Sequence, residues 1–537
     1  MRTDLRLTIS CCVVFALSPV GSVAQERPAP LRTDPETTAL VADLEALIPE
    51  LMGRAHVPGL SVAIIHDGHV VWDRGFGIKH VCTGERVTRE TLFEAASLTK
   101  PLFAYAVLRL MEEGVLDLDT PLLDYLPREM VERLLTHPLD AEGFRRDWLE
   151  RVTARHVLSH SSGLPHGERP DPLFPLFFEP GTSFRYSAAG YRALQLTVEH
   201  RMGKLLEEIV QEYVFAPLGM NHSSMIWQDS FEATAAQGHG LIGKPEPFRK
   251  YTRAHAAASM YTTAADYARF VSAVMNGEGL GADWAAAMLT PQIDVDEHNL
   301  WSLGFGIQRD GNGDAFWQWG DYGIFRNFVI AYKEAKIAVV YLTNSYYGLS
   351  IAKDIVTTAV GGEVHALDWL GYQPYDAPVN RFTWTVLSDG ADAAVARLPE
   401  FRANDPEAMD EDDINRLGYV FLNAERFDDA ITLFELNVRE HPQSANTYDS
   451  LAEAFMKRDA EGDIERAIHY YRKSLEVIPT DPHSDKEFLE RLKANAEQRI
   501  RQLEQKRSEG RRLGWGPARQ PQAPTCCAPS GAGRARR

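Results

Sequence analysis

A chain of 537 residues is too long for one ordinary hydrophobic core, so two or three domains are expected. Its 45% hydrophobic and 24% charged residues are typical of folded globular proteins and exclude a mainly disordered chain. The formal net charge of −19 argues against a nucleic-acid partner, because phosphate binding needs a basic face.

The first segment, residues 1–24, is predicted to be an export signal. Arg2 and Arg6 precede an apolar run, and small residues at 22–24 offer a cleavage site. The run is too short to span a bilayer, and no later stretch is long enough, so no membrane span is expected. The mature protein is predicted to be periplasmic or secreted. A buried N-terminal helix or a lipid anchor on an early cysteine is the alternative.

Residues 37–365 are predicted to form an α+β domain. Two apolar runs meet at Asp67 and Gly68, which is a strong hairpin signal. Helical and loop segments follow, and strand patterns return between residues 316 and 343 before a helix near 350–360. This order predicts an antiparallel sheet flanked by helices, with a separate helical lobe.

Helical patterns dominate the chain beyond a predicted linker at 366–382. Two copies of one pattern cover about 411–444 and 445–481, with small residues where two helices cross and Pro after each second helix. This spacing predicts tetratricopeptide-like repeats within an all-α module at 383–506. The module is expected either to recruit a protein partner or to be a plain helical appendage. Arginines among Gly, Pro and Ala predict a disordered basic tail over 507–537.

The strongest chemical signal is a Ser-x-x-Lys motif formed by Ser97 and Lys100. Residues three apart on a helix share one face, so the Lys100 ammonium is placed beside the Ser97 hydroxyl and activates it as a nucleophile. A second copy, Ser350 and Lys353, has no suitable partner motifs after it, and Ser97 is therefore favoured. No cluster of Cys and His has the spacing of a zinc site, so neither a metal nor a cofactor is expected.

Further segments of the chain match the surroundings of Ser97 and Lys100 in one known family. They are FEAA at 93–96, GVLDLD at 114–119, VLSHSSGLP at 157–165, FRYSAAGY at 184–191, APLGM at 216–220 and SMYTTAAD at 259–266. Together they resemble the penicillin-binding-protein-like family of class C β-lactamases, D-aminopeptidases and esterases, over roughly residues 40–360. The resemblance implies the β-lactamase/transpeptidase-like fold and acyl transfer on a small ester, an amide or a peptide.

The resemblance also implies a role for Tyr186 as the Tyr of a Tyr-x-Asn motif. In that role it takes the proton of Ser97 and later gives it to the leaving group. A Tyr with an ordinary pKa near 10 does this only if Lys100 stabilises the charge. The third position of the motif holds Ala188 instead of Asn, which removes a polar contact to the substrate. His160 is expected to brace a turn rather than to act as a base.

The third motif of the family, Lys-Thr-Gly or His-x-Gly, matches Gln318, Trp319 and Gly320 in this chain. The resemblance implies that Gln318 takes the cation position and that Gly320 permits close backbone approach. It also implies an oxyanion hole made by the backbone N–H groups of Ser97 and Asp321. Trp319 is expected either to contact the substrate or to pack within the sheet.

The sequence thus predicts an exported serine hydrolase that forms an acyl-enzyme on Ser97. The alternative is a degenerate penicillin-binding-like sensor, because Ala188 and Gln318 depart from the family pattern. Without a charge at Gln318, esterase or D-amino-peptidase activity is expected to exceed β-lactam turnover, unless Arg326 supplies that charge. The helical module carries no catalytic motif, so a chain ending near Gly371 is expected to keep activity on small esters.

Overall fold

The structure, a computed structural model, describes residues 29–34, 36–135, 145–167, 176–482 and 484–513. The predicted export signal at 1–24 and positions 514–537 of the predicted tail lie outside these residues. Within the described ranges no helix is long and apolar enough to cross a membrane.

A nine-stranded antiparallel sheet organises the first part of the chain. The strands of the described chain, including two outside this sheet, are β1 (Gly59–His66), β2 (His69–His80), β3 (Glu85–Arg86), β4 (Phe93–Glu94), β5 (Tyr261–Thr262), β6 (Ile293–Asp294), β7 (Asn299–Trp301), β8 (Gly306–Asp310), β9 (Gly313–Asp321), β10 (Arg326–Tyr332) and β11 (Ile337–Thr343). The order across the large sheet is β3-β2-β1-β11-β10-β9-β8-β7-β6, while β4 and β5 form a separate pair. The β1–β2 hairpin turns at Asp67 and Gly68, whose positive φ angles of 50° and 76° suit a two-residue hairpin turn.

Helices cover both faces of this sheet. The helices in this part of the chain are α1 (Thr37–Arg54), α2 (Thr99–Glu112), α3 (Arg128–Leu135), α4 (Arg146–Leu149), α5 (Ala154–Leu158), α6 (Ala188–Met202), α7 (Leu206–Val210), α8 (Ala264–Asn276), α9 (Ala282–Leu289) and α10 (Ala352–Val360). Helices α1 and α10 pack on one face and α8 on the other. All of β1 is buried because both faces of the strand are covered. Val62 and Ile64 pack in the core that contains α1 and α10, and Ala63 and Ile65 pack in the core that contains α8. The predicted α+β fold is confirmed.

The rest of the described chain is helical. Its helices are α11 (His365–Leu370), α12 (Pro378–Asp389), α13 (Ala391–Ala396), α14 (Leu398–Phe401), α15 (Glu411–Asn423), α16 (Phe427–Glu440), α17 (Ala445–Arg458), α18 (Asp463–Val477) and α19 (Lys486–Leu513). Each of the pairs α15–α16 and α17–α18 packs closely together. A side chain at Gly418 would come within 2.4 Å of the Phe434 ring, as expected where two helices cross. The assignment of these pairs as tetratricopeptide repeats stays a prediction.

The predicted linker and the predicted tail both overlap helices of the structure. The supposed linker at 366–382 is mostly structured, because Gly371 ends α11 with a φ of 67° and Pro378 begins α12. The last helix continues to Leu513, past the predicted start of the tail at 507, since its Lys, Arg, Glu and Gln residues are good helix formers.

Candidate active site

The loop that carries Ser97 is held in a strained conformation. It follows β4, and Ala96 adopts a φ of +50°, which is unusual for a residue with a side chain. A short 3-10 turn over Ala96–Leu98 then leads into α2. The Asn327 side chain of β10 donates to the carbonyl of Glu94 at 2.9 Å and ties the loop to the large sheet. Ser97 therefore lies at the start of a helix and against strands β9 and β10 of the sheet.

The Lys100 ammonium lies directly beside the Ser97 hydroxyl. Lys100 Nζ is 3.0 Å from Ser97 Oγ and donates a second hydrogen bond, of 2.9 Å, to the carbonyl of Ala257. Its side chain is only 1% exposed, and Nζ is 4.7 Å from the centre of the Tyr186 ring. The structure thus brings together the three residues that the sequence proposed for the proton path.

The second Ser-x-x-Lys copy has a different environment. Ser350 Oγ donates to the carbonyl of Tyr347 at 2.7 Å, within a 3-10 turn. The Lys353 ammonium pairs with Asp368 instead. The ammonium therefore does not activate Ser350.

The Tyr186 hydroxyl is the centre of the polar contacts at the site. It accepts a 3.0 Å hydrogen bond from Gln318 Nε2 and forms another with the Ser97 side chain. Burial raises the pKa of Tyr186 well above its usual value, and the two hydrogen bonds offset only part of that rise. The phenol is consequently protonated in the resting site, and Lys100 is the cation that faces its ring.

His160 holds the backbone of the turn that carries Tyr186. It has a φ of +56°, and its Nδ1 accepts a 3.0 Å hydrogen bond from the N–H of Ser187. The carbonyl of His160 accepts from the N–H of Arg185 at 2.8 Å, so His160 bonds the residues on both sides of Tyr186. Burial is the main reason that the pKa of His160 lies well below its usual value, with the Lys100 charge as the next cause. The imidazole is therefore neutral and braces the turn.

Strand β9 presents the third motif to Ser97. Gln318 is fully buried, and its Nε2 donates both to the Ser97 carbonyl and to Tyr186 Oη, each at 3.0 Å. A Cβ at Gly320 would lie 2.2 Å from the carbonyl oxygen of Ala95, so only glycine allows the loop to approach the strand this closely. The Trp319 ring packs against the Tyr186 ring at 4.5 Å between centroids.

The end of β9 holds an ion pair. Asp321 Oδ2 is 3.2 Å from Arg326 Nε, and the two residues face each other across β9 and β10. The Arg326 guanidinium also packs over the rings of Tyr346 at 3.9 Å and Tyr372 at 4.8 Å. Arg326 therefore lies beside the third motif, but Asp321 neutralises its charge. Ala188, the first residue of α6, is buried and adds only a methyl group.

Sequence reasoning missed several residues of this site. The Ala257 carbonyl holds Lys100, and Trp369 and Tyr372 reach the third motif from the predicted linker. Every residue has a backbone carbonyl, so the sequence could not show that the carbonyl of Ala257 binds Lys100. The aromatic residues of the supposed linker were the one available signal, because a solvated linker is expected to be polar.

The sequence profile of the family described as Beta-lactamase matches residues 44–359 of this chain. The chain belongs to this family of beta-lactamase-fold serine hydrolases. The matched range contains all three motifs described above.

Individual relatives agree with this assignment. Unguisins hydrolase ungD' from Aspergillus campestris is 24% identical over 66% of this chain and 69% of its own length. Esterase EstB from Burkholderia gladioli is 26% identical over 52% of this chain and 79% of its own length. The solved structure of D-alanine carboxypeptidase AmpC from Burkholderia cenocepacia has a TM-score of 0.51 at 22% identity, covering 60% of this chain and 98% of that chain. This likeness supports the fold.

Proposed function

We propose that the chain is an exported serine hydrolase that forms an acyl-enzyme on Ser97 and prefers neutral esters to β-lactams. The observation that carries the proposal is the contact of Ser97 Oγ with Lys100 Nζ at 3.0 Å, next to the Tyr186 hydroxyl. Export rests on the signal-like pattern of residues 1–24. The names of the relatives include an esterase, which agrees with the proposed substrate class.

In the proposed reaction the pair formed by Tyr186 and Lys100 reacts as a phenol with a neutral Lys100 amine. Ser97 Oγ bonds to the ester carbonyl carbon, Tyr186 Oη takes the Ser97 proton, and the phenol gives its own proton to Lys100 Nζ. The negative oxygen is held by the backbone N–H groups of Ser97 and Asp321. The same pair then protonates the leaving alcohol as the C–O bond breaks. Water attacks the acyl-enzyme by the reverse proton route, which releases the acid and restores Ser97.

The preference for neutral substrates follows from the lack of a remaining hydrogen-bond donor on Gln318 in the third motif. Both N–H groups of the Gln318 amide are used, one on the Ser97 carbonyl and one on Tyr186 Oη. Only the acceptor Oε1 remains, and within the described part of the chain it has no partner. An acceptor cannot bind the carboxylate of a penicillin or a D-alanyl peptide. Arg326 does not supply the missing charge because Asp321 pairs with it.

The test compares kcat/KM for a short p-nitrophenyl ester and for a chromogenic cephalosporin. The wild type should favour the ester, and Gln318→Lys combined with Ala188→Asn should shift the ratio toward the cephalosporin by at least about ten-fold, since charge-assisted hydrogen bonds are about twice as strong as neutral ones. Ser97→Ala should abolish both activities, and Ser350→Ala neither. A wild type that prefers the cephalosporin would refute the specificity.

A further inference from the structure

The chain returns to the active site after the hydrolase fold is complete. Residues 365–375, here called the return segment, follow α10; the N–H of Tyr375 donates to the carbonyl of Ser350 at 3.2 Å. Helix α11 packs against β7 and β8. The segment then continues into α12 and the helical module, so it connects that module with the catalytic sheet.

Trp369 of the return segment packs against the strands and loops of two motifs. Its ring centre is 5.9 Å from that of Trp319 and 5.7 Å from that of Trp317, both on β9. It is also 6.1 Å from the ring of Phe184, two residues before Tyr186. The return segment thus covers the side of the site where the second and third motifs meet.

Tyr372 makes a specific polar contact at the same place. Its hydroxyl donates to Asp321 Oδ2 at 2.5 Å, while the N–H of Gly323 donates to Oδ1 at 2.5 Å. Burial, followed by the Asp321 charge, raises the pKa of Tyr372 well above its usual value, so the hydroxyl keeps its proton and stays a donor. Gly323 and Arg326 belong to the same hairpin as Asp321, whereas Tyr372 is held by a separate part of the fold.

We propose that Tyr372 is a positioning residue for the oxyanion hole, acting through Asp321. By holding the Asp321 carboxylate, Tyr372 holds the peptide group at the end of β9. The N–H of that peptide is the second oxyanion donor in the proposed function, and the inference rests on that function. Oxyanion donors accelerate a reaction because they are already oriented before charge develops. A small displacement of such a donor lowers the rate of the chemical step without weakening ground-state binding.

The contact between Tyr372 and Asp321 reverses one expectation from the sequence. A chain ending near Gly371 was expected to keep its activity on small esters, since no motif lies beyond it. Such a chain lacks Tyr372 and leaves the Asp321 carboxylate with the donors of its own hairpin. We therefore expect turnover to depend on the return segment although no residue in it touches the nucleophile.

The test is Tyr372→Phe in the full-length protein, which keeps the ring over Arg326 and removes only the hydroxyl. On a neutral p-nitrophenyl ester kcat should fall by about ten-fold or more, with KM changed by less than about two-fold. Affinity for an arylboronic acid, which bonds to the serine and mimics the tetrahedral intermediate, should fall by the same factor as kcat. Tyr375→Phe is the matched control, because its ring lies on Arg54, 4.7 Å from the guanidinium, and it should leave both quantities unchanged.

A double-mutant cycle separates positioning from general support of the fold. In an Asp321→Ala background, Tyr372→Phe should have no further effect on kcat. The inference would be overturned if Tyr372→Phe kept the wild-type kcat. It would also be overturned if Tyr372→Phe lowered kcat by the same factor with and without the Asp321 carboxylate. In both cases the proposed function would still stand. A wild type that turns over no ester and forms no adduct on Ser97 would overturn both.

Discussion

At the residue scale, the proton path depends on one buried phenol. Burial raises the pKa of Tyr186, and the neutral Gln318 amide stands where the family places a cation. In the proposed reaction Tyr186 therefore passes its own proton to the neutral Lys100 amine as it takes the proton of Ser97. The proposed transfer is therefore concerted through the pair and needs no standing phenolate.

Replacing Tyr186 by Phe keeps the ring and removes the hydroxyl that contacts Ser97 and Gln318. Single-turnover acylation by an ester should slow by ~10²–10⁴-fold, the usual contribution of an acid–base group. Tyr191→Phe is the control, because that buried hydroxyl has no partner among the residues that the structure describes. An acylation rate in Tyr186→Phe equal to that of the wild type would assign the base to another group.

Residues that act through local spacing could be predicted from the sequence, and those that act across the fold could not. Ser97 and Lys100 are three positions apart, and helix periodicity alone puts them on one face. Gly320 was predicted from the family pattern, and its contact with Ala95 explains why a side chain is excluded. Tyr372 reaches Asp321 over 51 positions, and no local pattern encodes such a contact.

At the scale of elements, patterns predicted the long strands well and the short ones poorly. The hairpin at Asp67 and the strands β9, β10 and β11 follow the apolar runs and turn residues of the sequence. Strands β6, β7 and β8 have only two to five residues, too few for alternation to be visible. The linker predicted at 366–382 contains the end of α11 and the start of α12, which Gly371 and Pro378 separate.

Helix α17 contains a buried carboxylate, Asp449, and its surroundings predict that the stability of the helical module depends on pH. Asp449 is only 5% exposed, and burial, together with the nearby charge of Glu453, raises its pKa to about 7. Asn495 and Arg499 of α19 face it and lower the pKa only in part. An unfolded Asp titrates near 3.9, so between about pH 4 and pH 7 the folded module binds more protons than the unfolded one.

The stability of the module should therefore fall as the pH rises from about 4 to about 7, and this contribution should be constant above that range. Asp449→Asn should remove the slope and stabilise the module at pH 8 by up to about 4 kcal/mol. Thermal unfolding of the full chain at pH 5 and pH 8 measures this, with the exposed Asp412→Asn as control. A slope in Asp449→Asn as steep as in the wild type would show that other groups cause it.

At the scale of the whole molecule, the helical module is in contact with the hydrolase. The Trp384 ring of α12 stacks on His56 at 3.6 Å and lies 5.1 Å from the ring of Tyr347. Leu241 and Ile242 of the hydrolase pack into the apolar core of the module. The residues that make this contact lie far apart in the chain, so no local pattern of the sequence predicts it. The return segment precedes α12 in the chain, and its Tyr372 contacts Asp321. It therefore connects this contact with the active site.

The central claim, that Ser97 is the nucleophile, is tested most directly by covalent labelling of the full-length protein. A serine-directed phosphonate should add once, and peptide mapping should place the adduct on Ser97. The adduct should disappear in Ser97→Ala and persist in Ser350→Ala, because Lys353 pairs with Asp368 instead of Ser350. Folded wild-type protein that carries the label on another residue, or that takes up no label, would contradict the account.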